Sequence, residues 1–105
     1  MTEPALFVAN PSGRIEVMLG LHLVGVIEPW DGPQIRNGLG AIGAYYWITL
    51  PVDGGYSAKR PATSARIARR HILRRLAEWF EAAGPAFFEV ALVLSAQAED
   101  ERAAA

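Results

Sequence analysis

Arg66, Arg70 and Arg74 recur at every fourth residue in a stretch that also holds Lys59, Arg60, Arg69 and Arg75. Between Lys59 and Arg75 the chain places seven of its ten basic residues and no acidic one. On a helix, guanidinium groups at this spacing share one face, and their forked N–H donors match phosphate or carboxylate oxygens in pairs. Each i,i+4 pair of like charges costs about 0.2–0.5 kcal/mol in an isolated helix. The stripe therefore reads as a surface for an anion, with Lys59, Arg60, Arg66 and Arg70 as its anion-binding group. The alternative is a solvated face whose charges are screened or paired with acids elsewhere in the fold. These basic residues sit on the first half of a predicted helix, Pro61–Ala83, whose second half carries Glu78 and Glu81, the reverse of the order that the helix macrodipole favours.

Two residues disturb a simple amphipathic pattern. At 100° per residue Arg69 turns toward the apolar side, where its methylenes can follow a sheet while the guanidinium reaches the edge. Ile67 falls among the polar residues, and an exposed Ile there suits contact with protein. Aromatic and Arg side chains are the types enriched in interface cores, and Trp30 in a neighbouring loop supplies a second anchor. The expected partner-binding set is thus Arg66, Ile67, Arg70, Arg74 and Trp30.

Catalytic chemistry is poorly provided for. Without cysteine, disulfides, thiolate nucleophiles and cysteine-based zinc sites are excluded. His22 and His71 are the only histidines and have no metal-ligand spacing. Ser12, Ser57, Ser64 and Ser95 lie in no nucleophile motif, and the glycines form no phosphate-cradling loop. Asp31 and Asp53 sit in turns, where Asp is favoured for its backbone hydrogen bonding. The expectation is a protein with no catalytic residues, no metal and no cofactor. An enzymatic reading needs His22 or His71 beside Asp31, Asp53 or Glu89 in a pocket.

Two short segments resemble known families. Gly55-Tyr56-Ser57-Ala58-Lys59-Arg60-Pro61-Ala62, followed by an Ala/Arg-rich helix, is similar to the entry into the last helix of a double-stranded-RNA-binding domain. In that family the resemblance implies a basic helix N-terminus on phosphates. This chain lacks the family's leading helix and places Pro61 where helix formers are expected. Glu28-Pro29-Trp30-Asp31-Gly32-Pro33 is similar to a hexapeptide of the glutamine amidotransferase domain of glutamate synthases, and Arg36-Asn37-Gly38-Leu39 to another piece of it. That activity needs a cysteine nucleophile, which is missing, so only a rigid loop bearing Trp30 carries over.

The elements that must position these residues follow from composition and periodicity. The chain has 105 residues, 51% hydrophobic and 20% charged, with a net charge of −1. That suits one globular domain, here placed at residues 1–96 with a polar tail at 97–105, and leaves electrostatic function to local segregation of charge. Met1-Thr2-Glu3-Pro4 has no basic segment leading into an apolar core. The apolar run around Val90–Leu94 is too short to span a membrane. A cytoplasmic location without membrane attachment is expected.

Leu6–Asn10, Ile15–Leu19 and Leu21–Glu28 read as strands, the first two joined by an Asn10-Pro11-Ser12-Gly13 turn. Leu21, Leu23, Gly25 and Ile27 share one face of the third. Pro29–Gly40 is irregular, Ala41–Leu50 is a further strand, and Val52-Asp53-Gly54-Gly55 ends it with a turn. A helix is predicted over Pro61–Ala83, capped by Thr63 or Ser64, with Ala65, Ala68, Ile72, Leu76, Trp79, Phe80 and Ala83 on its apolar face. Phe87–Leu94 fits a returning strand by alternation, or a helix apolar nearly all round. The predicted fold is α+β: an antiparallel sheet of four to five strands with one amphipathic helix on a face, in β-β-β-β-α-β order. The function expected is that of a small non-enzymatic binding protein, an adaptor or inhibitor working through a protein–protein surface. Direct nucleic-acid binding by the basic helix is the second reading, and a homodimer formed through an exposed sheet edge the third.

Overall fold

A computed structural model of the chain describes residues 4–30, 35–36, 42–43, 45–50 and 60–103, the two dipeptide spans by backbone alone. Among the described residues seven strands run β1 Leu6–Ala9, β2 Ile15–Leu19, β3 His22–Pro29, β4 Ile35–Arg36, β5 Ile42–Gly43, β6 Tyr45–Thr49 and β7 Arg60–Ala62. Helix α1 follows at Ala65–Ala82, a 3-10 turn at Pro85–Phe87 and helix α2 at Phe88–Ala103. The architecture is α+β, with a five-stranded antiparallel sheet in the order β1-β2-β3-β6-β7 and β4 paired with β5 apart from it.

The first hairpin forms where the turn residues demand it. Asn10 Oδ1 accepts from Ser12 Oγ at 2.6 Å and Arg14 N at 3.2 Å, and Gly13 takes a φ of 86° that an L side chain rarely adopts. Leu21, expected on a strand face, instead tips the β2–β3 turn and is 96% exposed. Register shifts between Val17 and Met18, so Val17 pairs with Gly25 while Met18 pairs with Leu23. This bulge breaks the period-two pattern and lets Val24 join the core with Ile27.

Helix α1 packs on the sheet through Ala68, Ile72 and Leu76, in one buried cluster with Ile15, Val17, Ile27, Trp47 and Ala62. Gly25 permits this approach: a Cβ there would meet the Ile48 carbonyl oxygen at 3.0 Å and the Ile72 side chain at 3.4 Å. Ser64 caps α1, its Oγ accepting from Ile67 N at 3.2 Å. The helix begins at Ala65 and not at Pro61, because Arg60–Ala62 pairs with Tyr45–Trp47 as the fifth strand. Pro61 sits in that strand, a position proline tolerates only at an edge.

The predicted last strand is a helix. Ala91, Leu94 and Ala98 of α2 are buried, and α2 packs antiparallel along α1 as a helical hairpin. Gly84, at φ 122°, makes the turn between the two. From Gln97 onward the chain continues α2 to Ala103, and Gln97 itself docks on the start of β1. Its Oε1 accepts from Ala5 N at 2.9 Å and its Nε2 donates to Ala5 O at 2.7 Å. No helix among the described residues is long and apolar enough to cross a membrane.

Candidate functional site

Strand alternation sends Trp47 toward α1 and Tyr46 to the opposite side of the sheet. On the α1 side, the Trp47 ring stacks on His71 with centroids 5.7 Å apart and planes 9° from parallel. Arg60, directly across the β6–β7 ladder from Trp47, lays its guanidinium 5.6 Å from the centre of the indole, within cation–π range. Arg74, Arg75 and Glu78 come from the outward turns of α1, and these six residues line a cavity of about 290 Å³. The Trp47 Nε1–H is buried with no acceptor, a deficit worth about 1–3 kcal/mol. Burial lowers the His71 pKa below its ordinary 6.5, and the charges of Arg70 and Arg74 lower it further.

The residues expected to form the site are distributed differently. Arg66 and Arg74 are exposed and Arg70 half-buried on α1. Arg74 pairs with Glu99 of α2 at 3.6 Å, so acids elsewhere in the fold do face the stripe. Ile67 is not an exposed anchor. Helical side chains lean toward the N-terminus, and that of Ile67 packs half-buried against the core. Arg69 follows its predicted path: it lies along the sheet with its guanidinium 5.1 Å from the Phe7 ring on edge strand β1. Trp30 meets Tyr46 edge-on at 5.7 Å, on the face away from α1, so the structure does not bring it together with the arginines. Lys59, Asp31 and Asp53 lie outside the described residues.

That far face holds a second polar group. Glu28 accepts from Tyr46 Oη at 2.5 Å and from Arg14 at 3.3 Å, beside a cavity of about 350 Å³ lined also by Ser12 and Pro29. A third cavity, about 370 Å³, follows the α1–α2 groove past Ala77, Glu81 and Ser95. His22 is exposed on β3, and His71 sits in the basic cavity with Glu78 as its carboxylate neighbour. Among the described residues no cluster of His and acid side chains could hold a metal.

The largest surface feature that sequence reasoning missed is aromatic. Trp79 and Phe80, expected against the sheet, pack on each other at 4.9 Å, and Phe80 meets Phe87 at 5.8 Å. Phe88 and Leu92, expected in a strand, extend the group along the start of α2. Trp79, Phe87, Phe88 and Leu92 are 39%, 43%, 50% and 56% exposed, which together leaves on the order of 400 Å² of large apolar side chain in water. A tip of this kind was readable only once Phe88–Ala103 was known to be helical. The signal was present: as a helix, that segment is apolar nearly all round, and one helix cannot bury every side against one neighbour. No protein-family model, curated protein or solved structure matches the chain.

Proposed function

We propose that this chain is a small non-enzymatic binding protein that engages a protein partner through the aromatic tip of its helical hairpin. The observation that carries the reading is the exposure of Trp79, Phe87, Phe88 and Leu92 near the turn of the hairpin, Trp79 and Phe87 being joined through Phe80. The largest apolar patch on a typical monomer, about 300–600 Å², is often functional, and Trp is among the residues enriched in interface hot spots. The rim suits the role: Glu78, Glu81 and Glu89 are exposed around the tip, where charges select partners more than they add affinity. The tip displaces the arginine stripe and the Trp30 loop as the favoured surface, because Arg74 is engaged with Glu99 and Trp30 faces the other way. Direct nucleic-acid binding draws less support for the same reason.

A photo-crosslinking residue at position 88 or 92 tests this in cells. The expected result is one dominant protein adduct, lost when Trp79→Ser is added, with none from position 66. Once the partner is isolated, Phe88→Ala should weaken it by about 2 kcal/mol, roughly 30-fold. Adducts from position 66 alone would move the interface back to the arginine face.

A further inference from the structure

Strand β1 is one edge of the five-stranded sheet, and it has neither the charge nor the proline that guards the other edge at Arg60 and Pro61. Asn10 and Arg14 close its hairpin as a bonded pair, Asn10 N–H donating to Arg14 O at 2.9 Å. Bonded pairs alternate along an antiparallel ladder. Val8 and Leu6 therefore bond to β2 at Glu16 and Met18, while Phe7 and Ala9 turn their N–H and C=O groups outward. Ala5 turns outward too, and Gln97 takes both of its groups. Among the described residues nothing takes those of Phe7 and Ala9. We propose that this edge accepts an extended acidic segment of a protein partner as a sixth strand, with a carboxylate of the segment on Arg69. The inference is independent of the aromatic tip, which lies at the start of α2, whereas Gln97 is in its second half.

Arg69 supplies the charge. Its guanidinium lies 5.1 Å from the centre of the Phe7 ring, and it has no part in the ion pairs described, which join Arg14 to Glu28 and Glu99 to Arg74 and Arg102. The ring attracts the cation but neutralises none of it. A residue added opposite Phe7 sends its side chain to the same face, with its Cβ about 4.5–5.5 Å from that of Phe7. An Asp or Glu there forms a charge-assisted bond with Arg69, whereas a Lys meets a like charge. The residues before and after it fall on the other face, beside Leu6 and Val8, which are 57% and 50% exposed. Apolar side chains at those two positions cover them. The recognised pattern is thus one acidic residue between two apolar ones in an extended chain. Backbone bonds give such strand addition its affinity, and alternate side chains give it selectivity. Register is set by Gln97: because it already occupies Ala5, an antiparallel segment bonds at Phe7 and Ala9 and goes no further. A second copy of β1 fits less well, since Leu6–Ala9 holds no acid and would bring a second Arg69 to the same face.

Amide-resolved NMR on the full chain tests this, with acetyl-Thr-Val-Glu-Val-Thr-amide as the probe. The Phe7 and Ala9 amide resonances should move saturably and exchange more slowly with solvent, while the Val8 amide, bonded to β2, keeps its protection. Replacing the probe's Glu by Lys should weaken binding about tenfold. N-methylation of the Glu, which removes its donor to the Phe7 carbonyl, should abolish binding. Arg69→Gln should bring the Glu and Lys probes within about twofold of each other, and Arg74→Gln, on the α2 side of the helix, should leave their ratio unchanged. The proposal is overturned by no saturable shift at Phe7 and Ala9, by equal affinity for the Glu and Lys probes, by binding that survives N-methylation, or by a ratio that Arg69→Gln does not alter. Movement of the same two amides on concentrating the chain alone also overturns it, and assigns the edge to a second copy.

Discussion

Gln97 is the most informative residue to perturb, because one amide side chain ties the far end of α2 to the first strand. Both backbone polar groups of Ala5 are satisfied by it, at 2.9 Å and 2.7 Å, and Ala5 is 3% exposed. Gln97→Ala removes two hydrogen bonds of about 1 kcal/mol net each and leaves a donor and an acceptor without partners at a buried position. The expected loss is about 2–4 kcal/mol, a large share of the ~5–15 kcal/mol typical of a domain. Urea unfolding followed by circular dichroism measures it. Gln97→Glu makes the test specific, since a neutral carboxyl keeps one donor and one acceptor while a carboxylate turns an acceptor toward the Ala5 carbonyl. The folded state then favours the protonated form, which raises the folded pKa above the unfolded value of about 4.3. Its stability is complete below that unfolded value and falls as pH rises through the folded pKa. A Gln97→Glu protein equally destabilised at pH 4 and pH 7, or a Gln97→Ala protein within about 0.5 kcal/mol of the parent, would refute the docking of α2 on β1.

Two further outcomes follow from the core and the basic cavity. His71 has a folded pKa below its unfolded value of about 6.5, so between those values the unfolded chain binds more protons and stability rises with pH. His71→Gln should flatten that slope in urea titrations between pH 5 and 7, and an unchanged slope would assign it to another group. Gly25→Ala places a Cβ 3.0 Å from the Ile48 carbonyl oxygen and 3.4 Å from Ile72, and should cost about 1–3 kcal/mol by overpacking. Because the closer contact is backbone, adding Ile72→Val should recover less than half of that loss in the same assay.

Much of the sheet was legible because its signals are local. Asn10 and Gly13 set the first turn, and alternation over Ile15–Leu19 and Leu21–Glu28 marked the strands, although the bulge at Val17–Met18 overturned the face assigned to the second of these. The Arg60–Ala62 strand was not legible. Three residues carry too little pattern, and Pro61 reads equally well as the start of a helix. Phe87–Leu94 failed for a different reason. In an apolar run that short, periodicity cannot separate a strand from a helix, and the deciding contacts, Gln97 with Ala5 and Leu94 with the core, span the whole chain. The error propagated to the site. With a strand expected, Phe88 and Leu92 shared one face of it and Trp79 and Phe80 were assigned to the sheet, so no exposed aromatic group was visible. The Trp47–His71–Arg60 grouping was hidden because its members come from β6, α1 and β7 and meet only through strand pairing and helix packing.

The reversed charge order of α1 has a physical explanation in the hairpin. Taken singly, α1 defies the macrodipole, starting with Arg66, Arg69 and Arg70, while α2 is mixed: Glu99, Asp100 and Glu101 crowd its end, but Glu89 in its first turn and Arg102 in its last suit the dipole. Each misplaced charge costs an isolated helix about 0.3–1 kcal/mol. Antiparallel packing brings the basic start of α1 beside the acidic end of α2, and the Arg74–Glu99 pair is where they touch. Both partners are more than half exposed, so the pair itself contributes at most about 1 kcal/mol. Its larger effect is on orientation. Turning α2 around would set its acids beside Glu78 and Glu81 and leave the arginines facing an apolar helix start. The stripe that reads in the sequence as a surface awaiting an anion thus selects, in part, the direction of its own neighbour.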